Sequence, residues 1–172
     1  MALPAEDQIR LWPVAPPVRV PPDMACPRVE VSAQAWRRVT GHAAQDLGRE
    51  AGGVLVGQVR VDGAEICLVV EGSLPAEAAV GGPIHLTFTH GAWQQIRERH
   101  AADYPHTLIL GWYHSHPGLG VFLSGADRDL HEQIFGWQRW CVALVVDPLR
   151  QEHAFFWPGP GAISRCPETL LD

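Results

Sequence analysis

The segment Thr107–His116 (TLILGWYHSH) constrains the fold more than any other part of the chain. From Leu108 to Tyr113 it runs without a charged residue, too continuous for a strand with one wet face. Such a run reads as a central strand covered on both sides, in a sheet with helices packed against it. Trp140–Asp147 (WCVALVVD) makes the same demand. Two buried strands need partners, and the flanking sequence supplies them. Gly52–Arg60 and Glu65–Leu74 alternate as strands across an Asp62-Gly63 hairpin turn, Val29–Val31 and His153–Trp157 are shorter candidates, the latter the last of the series, and Ile84–Thr89 is another.

Helical stretches alternate with these strands. Ser32 can cap a helix through about Leu47, with Trp36, Val39 and Ala43 on one face and Gly48 closing it. A second helix is expected from about Ala92 to Ala102, and a third from a Ser124 cap to about Phe135. Interleaved helices, hairpins and buried strands imply an α/β or α+β architecture, a mixed central sheet between helices. Residues 1–27 carry seven of the 15 prolines and read as an extended arm, docked or free, with Leu11 and Trp12 hinting at packing.

Composition narrows the chemistry. All 13 basic residues are Arg, and neither Lys nor Asn occurs. That excludes a P-loop lysine, a Schiff-base lysine, a Ser–Lys dyad and an Asn side chain in an oxyanion hole. A net charge of -6 without a basic run argues against nucleic acid or an anionic membrane as the partner. Cys26, Cys67, Cys141 and Cys166 are scattered without a C-x-x-C pair, which fits reduced thiols in the cytoplasm better than a disulfide framework and leaves a single bridge open. No basic stretch followed by an apolar run suggests a signal peptide, and no segment approaches a membrane-spanning length.

The chemistry-bearing string is His114-Ser-His116-Pro-Gly-Leu-Gly-Val-Phe-Leu-Ser124-Gly-Ala-Asp127. Histidines two apart on a strand point to the same face and can present two imidazoles to one metal. Asp127, in the first turn of the next helix, sits where the helix dipole favours a carboxylate. Three protein ligands would leave an open position, the pattern of catalytic zinc. Each part has a plainer explanation: H-x-H is common on sheets, and Ser124 with Asp127 also spells a capping box. The other histidines (His42, His85, His90, His100, His106, His131, His153) show no ligand spacing. His131-Glu132 fails as H-E-x-x-H because Phe135 holds the second histidine position. The base-deaminase signature H-x-E with P-C-x-x-C and the G-x-S-x-G elbow do not occur. The tryptophans read as packing, with Trp93 and Trp112 as candidates to line a groove.

Taken whole, the string resembles the H-x-H-x7-S-x2-D signature of the JAMM (MPN+) metalloproteases. Glu50-Ala-Gly-Gly-Val-Leu-Val-Gly57 resembles the family's upstream E-x-x-G-x-L-x-G. The resemblance covers residues 29–158, leaving the arm (1–28) and a tail (159–172) outside. It implies an α/β fold of the cytidine-deaminase-like MPN type, a mixed curved central sheet flanked by helices. It also implies one zinc ion per chain, held by His114, His116 and Asp127. Glu50 would hold the attacking water and carry its proton to the leaving amine, and Ser124 would steady the oxyanion. The helix after Ser124 is followed by a turn too short for the second, structural zinc of some relatives.

The resemblance further implies cleavage after the C-terminal glycine of a ubiquitin-like protein with a Gly-Gly-type tail, freed from conjugates or from a precursor. Compactness suggests a bacterial member acting beside E1- and E2-like proteins. Segment 72–91 sits where the family's first insertion lies and is a candidate edge for docking an extended tail. Two other readings stay open. One is a peptidase that matures a sulfur-carrier protein or small peptide in a biosynthetic pathway. The other is a non-catalytic MPN scaffold.

Overall fold

The fold follows from how the two buried strands find partners. A computed structural model describes residues 18–77, 80–81 and 86–172. In chain order the elements are β1 (Arg28–Ser32), α1 (Ala33–Ala43), β2 (Gly52–Asp62), β3 (Glu65–Pro75), β4 (Val80–Gly81), β5 (Leu86–Thr87), α2 (His90–Asp103), β6 (Leu108–Ser115), α3 (Gly125–Ile134), β7 (Val142–Asp147), β8 (Glu152–Pro158), β9 (Ile163–Arg165) and β10 (Glu168–Leu171). Eight strands form one mixed sheet in the order β10-β1-β3-β2-β6-β7-β8-β9. Strand β6 is central, antiparallel to β2 and parallel to β7. Strands β4 and β5 make a separate two-stranded ribbon. Its connecting residues, and with them part of the strand expected at Ile84–Thr89 and the insertion expected at 72–91, lie outside the described residues, as do Leu11 and Trp12.

Alternation along β6 sorts the helices onto the two faces. Tyr113 reaches His42 of α1, with 2.9 Å between its hydroxyl and the ring Nδ1. Trp112 points the other way, stacking on Phe135 after α3, which in turn meets Trp93 of α2. Trp93 and Trp112 are fully buried, so they line no groove. Their large indoles fill the space between sheet and helices, the largest contribution an apolar side chain can make there.

Capping explains where the helices begin. Ser32 Oγ accepts from Ala35 N–H at 3.1 Å, and Thr89 Oγ1 accepts from Ala92 N–H at 3.1 Å, so α2 starts two residues before its expected Ala92. Helix α1 ends at Ala43 rather than near Leu47. Asp46 takes the Gly48 N–H into a side-chain turn at 2.9 Å, and Leu47 is left exposed.

The strand at His153–Trp157 is not the last. Strand β9 pairs antiparallel with β8, and two residues later β10 pairs parallel with β1 at the other end of the sheet. Cys166 and Pro167 span the two ends: Cys166 N–H donates to Phe155 O at 2.9 Å, and Val29 N–H donates to Pro167 O at 2.8 Å. The sheet therefore curls until its ends meet at this seam. Neither short strand carries an apolar alternation, and all four β10 residues are exposed, so no periodicity marked them in the sequence. The described part of the arm is docked: Met24 is buried in the core, and the Arg139 guanidinium donates to Pro21 O and Pro22 O at 3.2 and 2.7 Å.

Close backbone approaches account for the glycines flanking the site. A Cβ on Gly53 would lie 2.3 Å from Leu74 O, and one on Gly57 1.9 Å from Val69 O. In β6, Leu55 faces Gly111 while Val56 faces Ile109, so Leu110 is an extra residue in a bulge. Gly111 there has φ 144°, and a Cβ would meet Val142 O at 1.9 Å. Gly111→Ala is expected to destabilise the protein by about 3 kcal/mol or more, through backbone strain and overpacking together. Urea unfolding would measure it, and a midpoint equal to that of the unchanged protein would refute the bulge's importance.

Candidate metal centre

The end of β6, the start of α3 and Glu50, two residues before β2, converge on one buried point. His114 and His116 share a face, and their Nε2 atoms stand 3.0 Å apart. Asp127 reaches back from the first turn of α3, with Oδ1 3.4 Å from His114 Nε2 and Oδ2 3.7 Å from His116 Nε2. All three side chains are buried, and among the described residues they are the one His/Cys/Asp/Glu group whose donor atoms gather within 4.8 Å. Donors held tetrahedrally about 2.0–2.1 Å from one ion stand about 3.3–3.4 Å apart, so the observed spacings suit a small divalent cation such as zinc.

Each donor is fixed by its surroundings. The His114 ring stacks on Trp112 with centroids 4.4 Å apart and planes 12° apart. His116 Nδ1 lies 3.2 Å from Gly120 O, a pure acceptor, so the proton sits on Nδ1 and the Nε2 lone pair faces the site. Ser124 and Asp127 form the reciprocal capping box: Ser124 N–H donates to Asp127 Oδ2 at 2.7 Å, and Asp127 N–H donates to Ser124 Oγ at 3.2 Å. The capping role is compatible with a ligand role, because the cap aims the carboxylate and leaves the Ser124 hydroxyl proton free to donate.

Glu50 arrives through strand register. Gly52 pairs with His114, and Ala51 O accepts from the Ser115 N–H at 2.8 Å. Ser115 Oγ also accepts from Ala51 N–H at 2.9 Å. Two residues before Gly52, Glu50 falls on the histidine face, with Oε1 3.6 Å from His116 Nε2. Both carboxylate oxygens are buried without a hydrogen-bond partner among the described residues. Burial, with Asp127 nearby, lifts the Glu50 pKa to about 7 against the opposing pull of His116.

The other charges follow the same logic. Burial pushes His114 down, toward the neutral form that ligates. For His116 burial acts in the same direction, but the hydrogen bond to Asp127 and the charges of Glu50 and Asp127 outweigh it and raise the pKa. Burial would raise Asp127, yet its hydrogen bonds with the two histidines keep it ionised, well below the usual carboxylate range. Two carboxylates beside two imidazoles make a pocket that draws positive charge, which is what a cation site requires.

Three residues have supporting roles that the sequence reading did not assign. Ser115, the middle residue of H-S-H, clamps the backbone next to Glu50. Asp147, fully buried at the end of β7, accepts from the N–H groups of Gly118, Gly120, Leu149 and Arg150 at 2.7–3.1 Å. It thereby holds the loop whose Gly120 carbonyl fixes His116. Its four backbone bonds overcome the effect of burial and keep its pKa low. The third is His131, whose Nδ1 accepts from the Trp112 indole N–H at 3.1 Å.

Burial lowers the His131 pKa from 6.5 to about 4. Because the folded value lies below the unfolded one, the unfolded chain takes up the proton first. Stability from this group is therefore complete above about pH 6.5 and is lost as pH falls toward about 4, by about 3 kcal/mol in all. His131→Gln keeps an acceptor for the indole but cannot titrate. Its unfolding free energy is expected to fall less than that of the unchanged protein between pH 7 and pH 5, and parallel profiles would contradict this.

A strand-borne His pair, a helix-borne Asp and a dry carboxylate alongside form a buried cluster of donors that could hold one metal ion, on a mixed α/β sheet. The comparisons agree: the model of the prokaryotic homologs of the JAB domain matches residues 32–158, and the chain belongs to that JAMM/MPN+ family. COP9 signalosome complex subunit 5 of Caenorhabditis elegans is 31% identical over 126 residues, 72% of this chain and 33% of that protein. The 26S proteasome non-ATPase regulatory subunit 14 of Drosophila melanogaster is 26% identical over 139 residues, 79% of this chain and 43% of that protein. The chain thus spans less than half the length of these relatives. The solution structure of protein DSY2949 from Desulfitobacterium hafniense shares the fold, with a TM-score of 0.64 at 22% identity, covering 84% of this chain and 93% of that one. Among the described residues no helix is long and apolar enough to cross a membrane.

Proposed function

We propose that this chain is a zinc-dependent peptidase or isopeptidase that cleaves after the C-terminal glycine of a ubiquitin-like protein. The observation that carries the reading is Glu50: a carboxylate buried without a hydrogen-bond partner, beside a converged His-His-Asp set. Burying such a group is costly, and a structural role offers no return, whereas a proton carrier needs free oxygens. When bound by His114, His116 and Asp127, zinc supplies Lewis acidity toward a carbonyl oxygen and a water.

The chain's own groups do the rest. Glu50 Oε1 accepts the proton of the attacking water, then delivers it to the departing nitrogen as the C–N bond breaks. The Ser124 hydroxyl donates to the oxyanion. His116 Nδ1, tied to Gly120 O, keeps that ring from turning away. Buried donors favour a substrate without side chains at the scissile bond, as in a Gly-Gly tail. Two matched relatives are subunits of the COP9 signalosome and the 26S proteasome, which supports a ubiquitin-like substrate. In this reading the partners are the modifier, its conjugates and the E1- and E2-like proteins that attach it.

The test offers the zinc-loaded protein a panel of ubiquitin-like domains ending in Gly-Gly, joined to a peptide or to a lysine side chain. Cleavage after the terminal glycine, with one zinc per chain, is expected. If the loaded protein leaves every member of the panel intact, the reading fails. Cleavage of linear fusions alone would assign it to precursor maturation.

A further inference from the structure

Away from the metal centre, two thiols face each other across the seam that closes the sheet. Cys26 Sγ and Cys166 Sγ are 3.6 Å apart, although 140 residues separate them in the chain. Cys26 lies in the arm just before β1, half-exposed, and Cys166 lies between β9 and β10. Neither belongs to a regular strand, so side-chain rotation can bring the sulfurs to the bonded separation of about 2.05 Å without breaking a ladder. Cys141 is buried with Sγ toward Ile109 O, and Cys67, buried like Cys166, lines the same cavity as Cys26. A surface cavity of about 440 Å³, lined by Ala25, Cys26, Arg28 and Pro167 among others, gives a small thiol reagent access to Cys26.

We propose that Cys26 and Cys166 are a redox modification site, forming a reversible disulfide that staples the arm to the strand closing the sheet. The oxidant is a low-molecular-weight disulfide of the glutathione type. The Cys26 thiolate attacks one of its sulfurs, breaking that S–S bond and releasing the first small thiol. Cys166 then gives up its proton to solvent and attacks the Cys26 sulfur, expelling the second. Two protein thiols are oxidised by two electrons, and one small disulfide is reduced to two thiols. Burial raises the pKa of both cysteines, so little thiolate is present and the exchange is slow, on the scale of minutes to hours.

The whole chain is incubated with glutathione disulfide and digested with trypsin under non-reducing conditions. Cleavage after Arg19, Arg28 and Arg165 isolates Cys26 in peptide 20–28 and Cys166 in peptide 166–172. These two are expected to appear joined, and dithiothreitol should separate them. The oxidised protein should melt about 5 °C or more above the reduced one, because the bridge closes a very long loop. In Cys26→Ser and in Cys166→Ser, both effects should vanish. Free thiols after incubation, a link to Cys67, stable mixed disulfides without the bridge, or an unchanged melting temperature would each overturn the proposal.

Discussion

Glu50→Gln is expected to slow hydrolysis by about 10²–10⁴-fold, the usual contribution of a positioned general base. The same variant should bind zinc as before, since Glu50 lies outside the His114–His116–Asp127 donor set. Stability gives the sharper contrast. Both Glu50 oxygens are buried without a hydrogen-bond partner among the described residues, so exchanging the carboxylate for a neutral amide should leave the melting temperature unchanged or raise it. Lost activity with retained zinc and unimpaired stability is the signature of a proton carrier. A variant that melts markedly lower would mean Glu50 holds the fold, and one that retains activity would remove it from the reaction.

Asp147→Ala should produce the opposite profile. The carboxylate is the common acceptor for four backbone N–H groups, and its removal strands them around a small void. A loss of about 3–5 kcal/mol is expected. The 117–123 loop would then no longer hold Gly120 O against His116 Nδ1. Zinc affinity should therefore fall by about 10–100-fold, as when an outer hydrogen-bond partner of a ligating histidine is removed. Competition with a chromophoric chelator measures the affinity, and denaturant unfolding measures the stability. Unweakened zinc binding would show that His116 is held by the Phe122 ring, 4.8 Å away, rather than by this chain of bonds.

The two profiles separate chemistry from support. In the proposed reading, removing Glu50, which has no hydrogen-bond partner among the described residues, should harm only the reaction, whereas Asp147 is held by four backbone N–H groups away from the donor cluster. Both are buried carboxylates, and only their hydrogen bonds tell them apart.

What the sequence alone determined is local. His114 and His116 share a face because strand side chains alternate, and Asp127 follows from a helix capped by Ser124. The uncharged runs in β6 and β7 require a sheet covered on both faces. Each of these depends on residues within one or two turns or pleats of each other. Other features are set by pairing between distant segments, which no local pattern encodes. Glu50 reaches His116 only because β2 pairs with β6 in one register, held by Ser115 and by glycines that let backbones touch. Trp93 and Trp112 look the same in sequence whether they line a groove or fill a core. Strands β9 and β10 are too short and too exposed to announce themselves, and they form because the curled sheet brings its two ends within reach of Cys166 and Pro167. Short-range stereochemistry thus placed the candidate ligands, while long-range strand pairing brought Glu50 to them and built its supports and the seam.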